Sequence, residues 1–324
     1  MELGKFSSEK LNEIIISKIN HKRKEVVMSA SVGEDCAAID IQDKLCVVST
    51  DPITGAAANV GRLSVHVSVN DVASSGAEPV GILVTLLAPP SASFADVESV
   101  IDEISETCDA MNLDIVGGHT EVTDAVTRII VSTTVLGQCR ADKLVTSSGA
   151  KPGDAIVVTK YVAMEGTAII AQDFEDRLSG VLTSEQIEKA KALIGNLSVL
   201  TEGLVAAEFG ATAMHDITEG GVFGAVHEIC QAAGIGAVVN TADIPLLAET
   251  RAICAHLGLN PYRLISSGSM LITLPEPKPL IAALKSRGIQ ATEIGRMTES
   301  DIVAVENGQA APIAPPQADE LFRL

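Results

Sequence analysis

Aromatic residues are almost missing from this chain of 324 residues: Phe, Tyr and Trp make up 2% of the sequence, and there is no Trp. Its hydrophobic cores must therefore be built from Val, Ile, Leu and Ala. Apolar residues still account for 47% of the sequence, which is enough for a globular fold. A chain of this length can form two domains, each with its own core.

Basic residues are also scarce, because 23 Lys and Arg stand against 42 Asp and Glu, a formal net charge of −19. This charge argues against a nucleic-acid polymer or an anionic membrane as a partner. It does not exclude a nucleotide, since metal ions can mask both sets of negative charges locally. No apolar run reaches the ~20 residues of a membrane helix, and residues 1–5 lack the pattern of a signal peptide. We therefore expect a cytoplasmic protein.

Closely spaced cysteines are missing as well. The six cysteines are Cys36, Cys46, Cys108, Cys139, Cys230 and Cys254. They form no Cys-x-x-Cys pair, so neither a disulfide framework nor a zinc site is expected, and most of these thiols should be buried and unreactive. Cys36 lies beside an acid, so a functional role is the alternative to simple packing there.

The two common glycine-rich phosphate-binding patterns do not occur. The chain has no Rossmann Gly-x-Gly-x-x-Gly and no Walker Gly-x-x-x-x-Gly-Lys-Ser/Thr. Any phosphate group must therefore be held by something other than a P-loop.

Hydrophobic periodicity and turn residues predict strands and helices that alternate irregularly. The predicted helices are 8–19, 94–111, 184–194, 198–209, 221–233 and 277–287, and the predicted strands are 44–50, 128–136, 155–159 and 269–274. In the helix 94–111, Ser93 is the expected N-cap, and the residues expected to face inward are Val97, Val100, Ile101 and Ile104. The strand 44–50 is expected to end at Asp51, because Pro52 cannot donate a ladder hydrogen bond.

A turn-rich break at 149–154 separates two patterned regions and predicts a boundary between domains at 1–150 and 151–324. The segment 64–70 is ambiguous. Val65, Val67 and Val69 alternate with polar residues as in a strand, which periodicity slightly favours, although a helical face also fits. The proline-containing tail after residue 312 is expected to be extended and to lie on the surface.

Five polar signatures interrupt these apolar surroundings. They are Gly33-Glu34-Asp35, Ser49-Thr50-Asp51, Asn70-Asp71, Gly117-Gly118-His119-Thr120-Glu121 and His215-Asp216-Ile217-Thr218-Glu219-Gly220-Gly221. An unpaired carboxylate is costly to desolvate, so such acids face solvent, pair with another group or hold a cation. Several converging acids suit Mg²⁺, a hard ion that takes oxygen ligands and accompanies polyphosphates.

Each of these signatures also has an alternative interpretation. Asp35 and Asp51 could be ordinary turn acids, whereas Asp71, among apolar and small residues, requires a partner. Gly117-Gly118 is interpreted as a turn that points backbone N–H groups at a phosphate. His119 is expected to hydrogen-bond to the backbone, since no second His or Cys lies at metal-ligand spacing.

The signature at 215–221 is interpreted as an anion site at a helix start, because the first N–H groups of a helix are free to bind anions. An ordinary capping box is the alternative.

Taken in order, the signatures resemble the AIR synthase-related superfamily. The matching stretches are 32–39, 50–55, 69–77, 117–122 and 215–221, and the resemblance covers nearly the whole chain. Within the superfamily, the chain looks closest to the hydrogenase maturation factor HypE and its paralogues.

The resemblance implies two α+β domains and a homodimer whose N-terminal sheets join into a barrel, with ATP in a cleft near the interface. It also implies Mg²⁺ as a cofactor, a helix at 62–75, and roles for particular residues. The implied metal ligands are Asp35, Asp51 and Asp71, with Glu121 a further candidate. The candidate catalytic residues are Asp71, Glu121 and Asp216. The phosphates would be lined by Gly117, Gly118 and Thr120, and Asn59 would lie near the nucleotide.

The resemblance further implies transfer of phosphate from ATP onto an amide or similar oxygen, on a small-molecule or protein-borne acceptor. HypE carries its carbamoyl group on a C-terminal cysteine, and this sequence has no cysteine after Cys254, so we expect that self-modification by that route does not occur. The alternatives are a nucleotide-binding accessory protein without turnover, or an enzyme like thiamine-monophosphate kinase or AIR synthetase.

Overall fold

The computed structural model describes residues 9, 26–28, 34, 36–54, 58–316 and 318–324. The strands in these ranges are β1 (Val26–Met28), β2 (Ala37–Asp40), β3 (Leu45–Ile53), β4 (Glu78–Ala88), β5 (Asp114–Val122), β6 (Ile130–Cys139), β7 (Ala155–Thr159), β8 (Ala213–Asp216), β9 (Gly236–Asn240), β10 (Met270–Leu274), β11 (Ala291–Thr298), β12 (Ile302–Glu306) and β13 (Gln309–Pro312). The α-helices are α1 (Val60–Ser74), α2 (Phe94–Met111), α3 (Met164–Asp173), α4 (Ser184–Lys191), α5 (Leu200–Glu208), α6 (Gly221–Ala233), α7 (Ala248–Leu257) and α8 (Pro277–Lys285).

The strands form two mixed sheets, and the fold is of the predicted α+β class. The first sheet has the order β1-β2-β3-β6-β4-β5, and the second has the order β13-β12-β9-β11-β7-β10-β8. Each sheet draws its strands from one side of the break at 149–154; the domain limits 1–150 and 151–324 themselves stay a prediction. Of the predicted helix 8–19, only Glu9 is among the described residues, and it is helical.

In the described part of the chain, no single helix is both long and apolar enough to cross a membrane. One bent pair, Ser184–Asn196 followed by Leu200–Glu208, meets those two criteria by length and composition alone.

Helix α1 occupies the segment whose alternating valines slightly favoured a strand, so periodicity was wrong there and the helix implied by the family resemblance is confirmed. The reason is burial on nearly every side, because all residues of α1 except Arg62 and Val67 are buried. The helix packs on β3, β6 and β4 with one face and on α2, α5 and β8 with others. A helix buried on nearly every side loses the one-sided apolar pattern by which helices are recognised.

Two other predictions differ from the structure, one about the end of a strand and one about an inward-facing side chain. Strand β3 continues through Pro52 to Ile53, with Pro52 paired to Ser132 of β6. Since β2 pairs with β3 only as far as Val48, the described part of the sheet has no strand on the other side of Pro52, and the missing N–H costs nothing. In α2, Ser93 and Asp96 form the expected capping box, but Ile101 is 40% exposed instead of inward-facing.

The two halves of the chain are joined by Asn70 of α1. Its Nδ2 donates to the carbonyl oxygen of Leu197 at 2.8 Å, and its Oδ1 accepts from the amide of Val199 at 2.9 Å. A Cβ at Gly203 of α5 would overlap the carbonyl oxygen of Ala73, so glycine is required for α5 to approach α1 this closely. All of these groups are buried, so the amide of Asn70 replaces water for two backbone groups that have no access to it.

We predict that Asn70→Ala lowers the free energy of unfolding by about 2–4 kcal/mol, because it leaves one buried N–H and one buried C=O unsatisfied. Equilibrium denaturation in urea measures this change. The matched control is Asn240→Ala, which also removes a donor and an acceptor, but at an exposed position, and should cost less than about 1 kcal/mol. Equal losses in the two variants would contradict the role given to Asn70.

Candidate functional site

Asp51 and Asp71 come together on the side of the first sheet that faces α1. Ser49 and Asp51 lie two residues apart on β3, so their side chains share one face at a spacing of roughly 7 Å. Asp71 lies on α1 and is buried, and its Oδ2 accepts a short hydrogen bond of 2.5 Å from the Ser49 hydroxyl. The partner expected for a desolvated Asp71 is therefore present, and it fixes this carboxylate beside β3.

Neighbouring oxygen atoms make this region suited to a hard cation. Thr133 of β6 pairs directly with Asp51, and its hydroxyl is buried without a hydrogen-bond partner among the described residues. Ser68, one turn before Asp71 on α1, donates to the carbonyl oxygen of Thr133 at 3.0 Å. The donors here are carboxylate, hydroxyl and carbonyl oxygens, which is the ligand set that Mg²⁺ prefers.

The predicted third ligand, Asp35, lies outside the described residues. Within the part of the chain that the structure describes, no group of three or more His, Cys, Asp or Glu side chains is placed to hold a metal ion by itself. Cys36 is buried, and its thiol lies 3.2 Å from the backbone oxygen of Asp71, to which it donates. Its role in the structure is therefore a packed contact beside the carboxylates.

Gly117 and Gly118 do not form the predicted turn, since both lie inside strand β5, which pairs in parallel with β4. A Cβ at Gly118 would overlap the carbonyl oxygen of Val84, so this glycine is explained by the close approach of the two strands. Every residue of β5 is exposed, because β5 is an edge strand of the described sheet.

The pairing register separates these glycines from the carboxylates. Asp51 pairs with Thr133, Thr133 with Val84, and Val84 with Gly118, so Asp51 and Gly118 occupy the same row three strands apart. Three strand spacings correspond to roughly 14 Å. Within one chain, the predicted phosphate-lining residues Gly117, Gly118 and Thr120 are therefore not adjacent to Asp51 and Asp71.

Glu121 and His119 lie on the same exposed strand. The His119 Nε2 is 3.5 Å from a carboxylate oxygen of Glu121, and both side chains are more than half exposed. The contact described for His119 is thus with an acid, instead of the expected hydrogen bond to the backbone. The roles of Glu121 as a metal ligand or catalytic group stay predictions.

Asn59 precedes α1 in the left-handed conformation, with φ of 56°, and its side chain makes no capping hydrogen bond. The first N–H groups of α1 are satisfied instead by Glu103 of α2, whose carboxylate accepts from Gly61 at 2.9 Å and from Arg62 at 3.3 Å. The side chain of Asn59 is therefore not used as a helix cap. Asn59 lines a cavity of about 360 Å³ between the start of α1 and helices α3 and α4.

Asp216 ends strand β8 and is buried, as is His215 before it. The His215 Nδ1 lies 2.6 Å from the backbone oxygen of Asp216, and its Nε2 lies 3.4 Å from a carboxylate oxygen of Glu228. Strand β8 packs on α1, so Asp216 lies in the interface between the halves.

The helix start after Asp216 already has an anion, supplied by the chain itself. The amide of Gly220 donates to the carboxylate of Asp319 at 2.8 Å, and the other oxygen of that carboxylate accepts from Leu321 at 2.9 Å. Asp319 is only 2% exposed, so the tail is not wholly on the surface as predicted. An anion at the start of this helix was expected from the sequence, but no local sequence pattern identifies Asp319 as the residue that supplies it.

A second acid that the sequence did not reveal lies beside Asp319. Glu165 in the first turn of α3 is buried, and its carboxylate accepts from the amide of Ser267 at 3.2 Å. Burial raises its pKa to about 7, with smaller contributions from the negative charges of Asp319 and Glu219. Burial likewise raises the pKa of Asp319 to about 6.

Comparison with known proteins places this arrangement in a family. Residues 33–139 match the family described as AIR synthase related protein, N-terminal domain, and residues 151–307 match AIR synthase related protein, C-terminal domain. The chain therefore belongs to the AIR synthase-related family.

Individual relatives within the family are HypE proteins. The chain is 27% identical over 264 residues to carbamoyl dehydratase HypE of Cupriavidus necator, covering 78% of this chain and 73% of that protein. The structure of a HypE–HypF complex superposes with a TM-score of 0.79 at 19% identity, covering 95% of this chain and 99% of that one. The structure of HypE in complex with ATP gives a TM-score of 0.70 at 20% identity, covering 98% of each chain.

We predict that Glu165→Gln removes part of the pH dependence of stability. Because the pKa of Glu165 in the folded chain exceeds its ordinary value of 4.5, the folded state binds more protons than the unfolded state between about 4.5 and 7. Stability therefore falls as pH rises through that window, by on the order of 3 kcal/mol. Glutamine has no such titration and keeps an acceptor for the Ser267 amide, so the variant should gain stability over the parent above pH 7.

Urea denaturation across this pH range measures the difference. Glu98→Gln, at an exposed position of α2, is the matched control and should leave the parent's pH dependence unchanged. If stability depends on pH in Glu165→Gln as it does in the parent, ionisation of Glu165 does not destabilise the folded chain, and the prediction is wrong.

Proposed function

We propose that this protein is an ATP-dependent, Mg²⁺-requiring enzyme that transfers phosphate onto an amide-type oxygen of a small-molecule or protein-borne acceptor. The observation that carries the proposal is the paired placement of Asp51 and Asp71, with Ser49 holding the Asp71 carboxylate. Family membership supports it, since a HypE structure of the same fold is a complex with ATP.

In this proposal Asp51 and Asp71, together with Asp35, hold Mg²⁺, and the bound metal neutralises charge on the phosphates. Ser49 positions Asp71, because its hydroxyl donates to one oxygen of that carboxylate and holds it beside β3. The buried hydroxyl of Thr133 lies across from Asp51 and supplies a further oxygen. Asn59 and its cavity lie at the end of α1 where the nucleotide is expected.

The distance between the two groups of predicted site residues supports a homodimer. Gly117, Gly118, Thr120 and Glu121 lie three strands from Asp51 in one chain, so a second copy is needed to bring such residues to the carboxylates. The edge strand β5 is exposed, with Val116 at 56% and Val122 at 67%. The outer face of β4 also exposes Val80 and Leu83, which makes this side of the sheet an apolar surface suited to another sheet.

We predict that ATP binds only with Mg²⁺, and that Asp51→Asn and Asp71→Asn each weaken its binding at least tenfold, or about 1.4 kcal/mol. Each substitution keeps the side-chain shape and removes one charge from the metal-binding group. Isothermal titration calorimetry, with and without EDTA, measures the effect. Asp102→Asn on exposed helix α2 makes the same charge change as a control and should bind ATP like the parent. Unchanged binding in both site variants, or in EDTA, would refute the metal assignment.

Turnover separates the enzyme from an accessory protein that binds ATP without reacting. Steady-state release of ADP with candidate amides, including carbamoyl compounds, should occur in the parent and be lost in Asp71→Asn. ATP binding without ADP release, with every acceptor tried, would favour the accessory role.

We predict that the chain is a dimer at micromolar concentration and that Val116→Lys converts it to a monomer. A lysine at an exposed edge position would place an unpaired charge in the sheet-to-sheet interface. Sedimentation equilibrium measures the mass of each variant. Phe94 is 94% exposed at the start of α2, so Phe94→Lys makes a comparable change outside the proposed interface and should leave the dimer intact. A monomeric parent would exclude this assembly.

A further inference from the structure

A second cavity lies on the opposite side of α1 from the carboxylates. Its volume is about 280 Å³, and its walls include Arg62 and His66 of α1, Glu106 and Met111 of α2, and Gly195 from the second half of the chain. His66 and Asp71 are five residues apart, which separates them by about 140° around the helix. The cavity is therefore distinct from the region of Asp51 and Asp71.

His66 is a buried histidine without a hydrogen-bond partner for its Nδ1 among the described residues, and its side chain is only 7% exposed. Its pKa is lowered from 6.5 to about 4, chiefly by burial and in smaller part by the positive charges of Arg62 and Lys160. A buried imidazole nitrogen that forms no hydrogen bond is unusual, because the group loses its contacts with water and gains nothing in return.

Arg62 lies one helical turn before His66 and lines the same cavity. Its guanidinium is 4.0 Å from the carboxylate of Glu106, which is too long for a hydrogen bond. Lys160, the other nearby cation, is already engaged, since its Nζ lies 2.6 Å from Glu202 and 2.5 Å from the carbonyl oxygen of Ser198. Arg62 is therefore the cation at this cavity whose guanidinium makes no hydrogen bond among the described residues, with Glu106 as its nearest acid.

We propose that this cavity binds a phosphate group, with the Arg62 guanidinium and the His66 imidazole as its donors. The planar guanidinium offers two parallel N–H groups that match the oxygens of a phosphate. The cavity opens between α1, α2 and the segment of Gly195, so a bound phosphate contacts both halves of the chain. Inorganic phosphate and the phosphate of a small monoester share this chemistry.

Binding of the anion is coupled to the protonation of His66. A negative charge beside the ring offsets the field of Arg62 and Lys160, so the pKa of His66 rises from about 4 when phosphate is bound. The protein then takes up a proton on binding, and phosphate affinity falls as pH rises through the pKa of the complex. The acids near this region are Glu103 and Glu106 on α2 and Glu202 on α5, and they oppose phosphate binding because they attract the same cations.

The test is a titration of the histidine C–H resonances of the full chain by NMR, without nucleotide or Mg²⁺, so that its outcome is independent of the proposed ATP reaction. Inorganic phosphate should raise the pKa of His66 by at least about one unit, which corresponds to tenfold tighter binding by the protonated ring. His227 is the internal control, because its Nδ1 is also buried without a described partner while its ring lies outside the cavity. Its titration should not respond.

Substitutions at the cavity test which side chains bind the phosphate. Arg62→Gln should abolish the response of His66, and Glu106→Gln, which removes a competing charge at the exposed rim, should strengthen it. Acetate should have a weaker effect than phosphate. Tighter binding of glycerol phosphate than of inorganic phosphate would identify an ester as the ligand, and equal binding would identify free phosphate.

A His66 titration that is insensitive to phosphate in the parent would overturn the proposal. So would an equal response of His66 and His227, or an undiminished response in Arg62→Gln. An equal response of His66 to acetate would overturn the assignment to phosphate.

Discussion

The fold depends on one buried helix, α1, that two adjacent side chains hold from different directions. Asn70 bonds to the backbone of the second half, and Asp71 accepts the hydroxyl of Ser49 on the first sheet. Both contacts are buried, where a hydrogen bond left unmade costs much more than it does in water. Together they fix the helix relative to both sheets, and Gly203 allows the neighbouring helix to pack closely enough for this arrangement.

The same helix divides the charges of the molecule. Asp51 and Asp71 lie on its sheet side, whereas Arg62 lines a cavity on another face, together with residues of α2 and Gly195. A chain with a net charge of −19 repels a polyphosphate unless cations intervene, and the acidic side offers only oxygen donors. In the proposed function, metal ions supply the missing positive charge on that side, and in the proposed phosphate site Arg62 supplies it on the other. The two proposals thus assign to one helix two kinds of anion recognition that rest on different chemistry.

Local signals predicted the capping box at Ser93, five of the eight described α-helices and four of the thirteen described strands. The family resemblance, and not periodicity, correctly identified α1, because burial on nearly all sides leaves no one-sided pattern to detect. Gly118 was interpreted as part of a phosphate-binding turn, but its conformation follows from the approach of a neighbouring strand, which is a long-range contact. Asp71 is bonded to Ser49, two residues before Asp51 on β3, and the convergence of these acids on a metal stays a prediction. Asp319 could not be found, since it meets its helix across about a hundred residues of intervening chain.

The adjacency of Asn70 and Asp71 also limits how the two halves can move. The contact to the second half and the contact to the first sheet are separated by a single peptide unit within one helical turn. Such a unit is too short and too rigid to stretch. A rearrangement of the two halves that keeps both contacts is therefore limited to a rotation about this point of α1. In such a rotation the carboxylates, close to the axis, would move least, and residues far from it, such as those around Asn59, would move most.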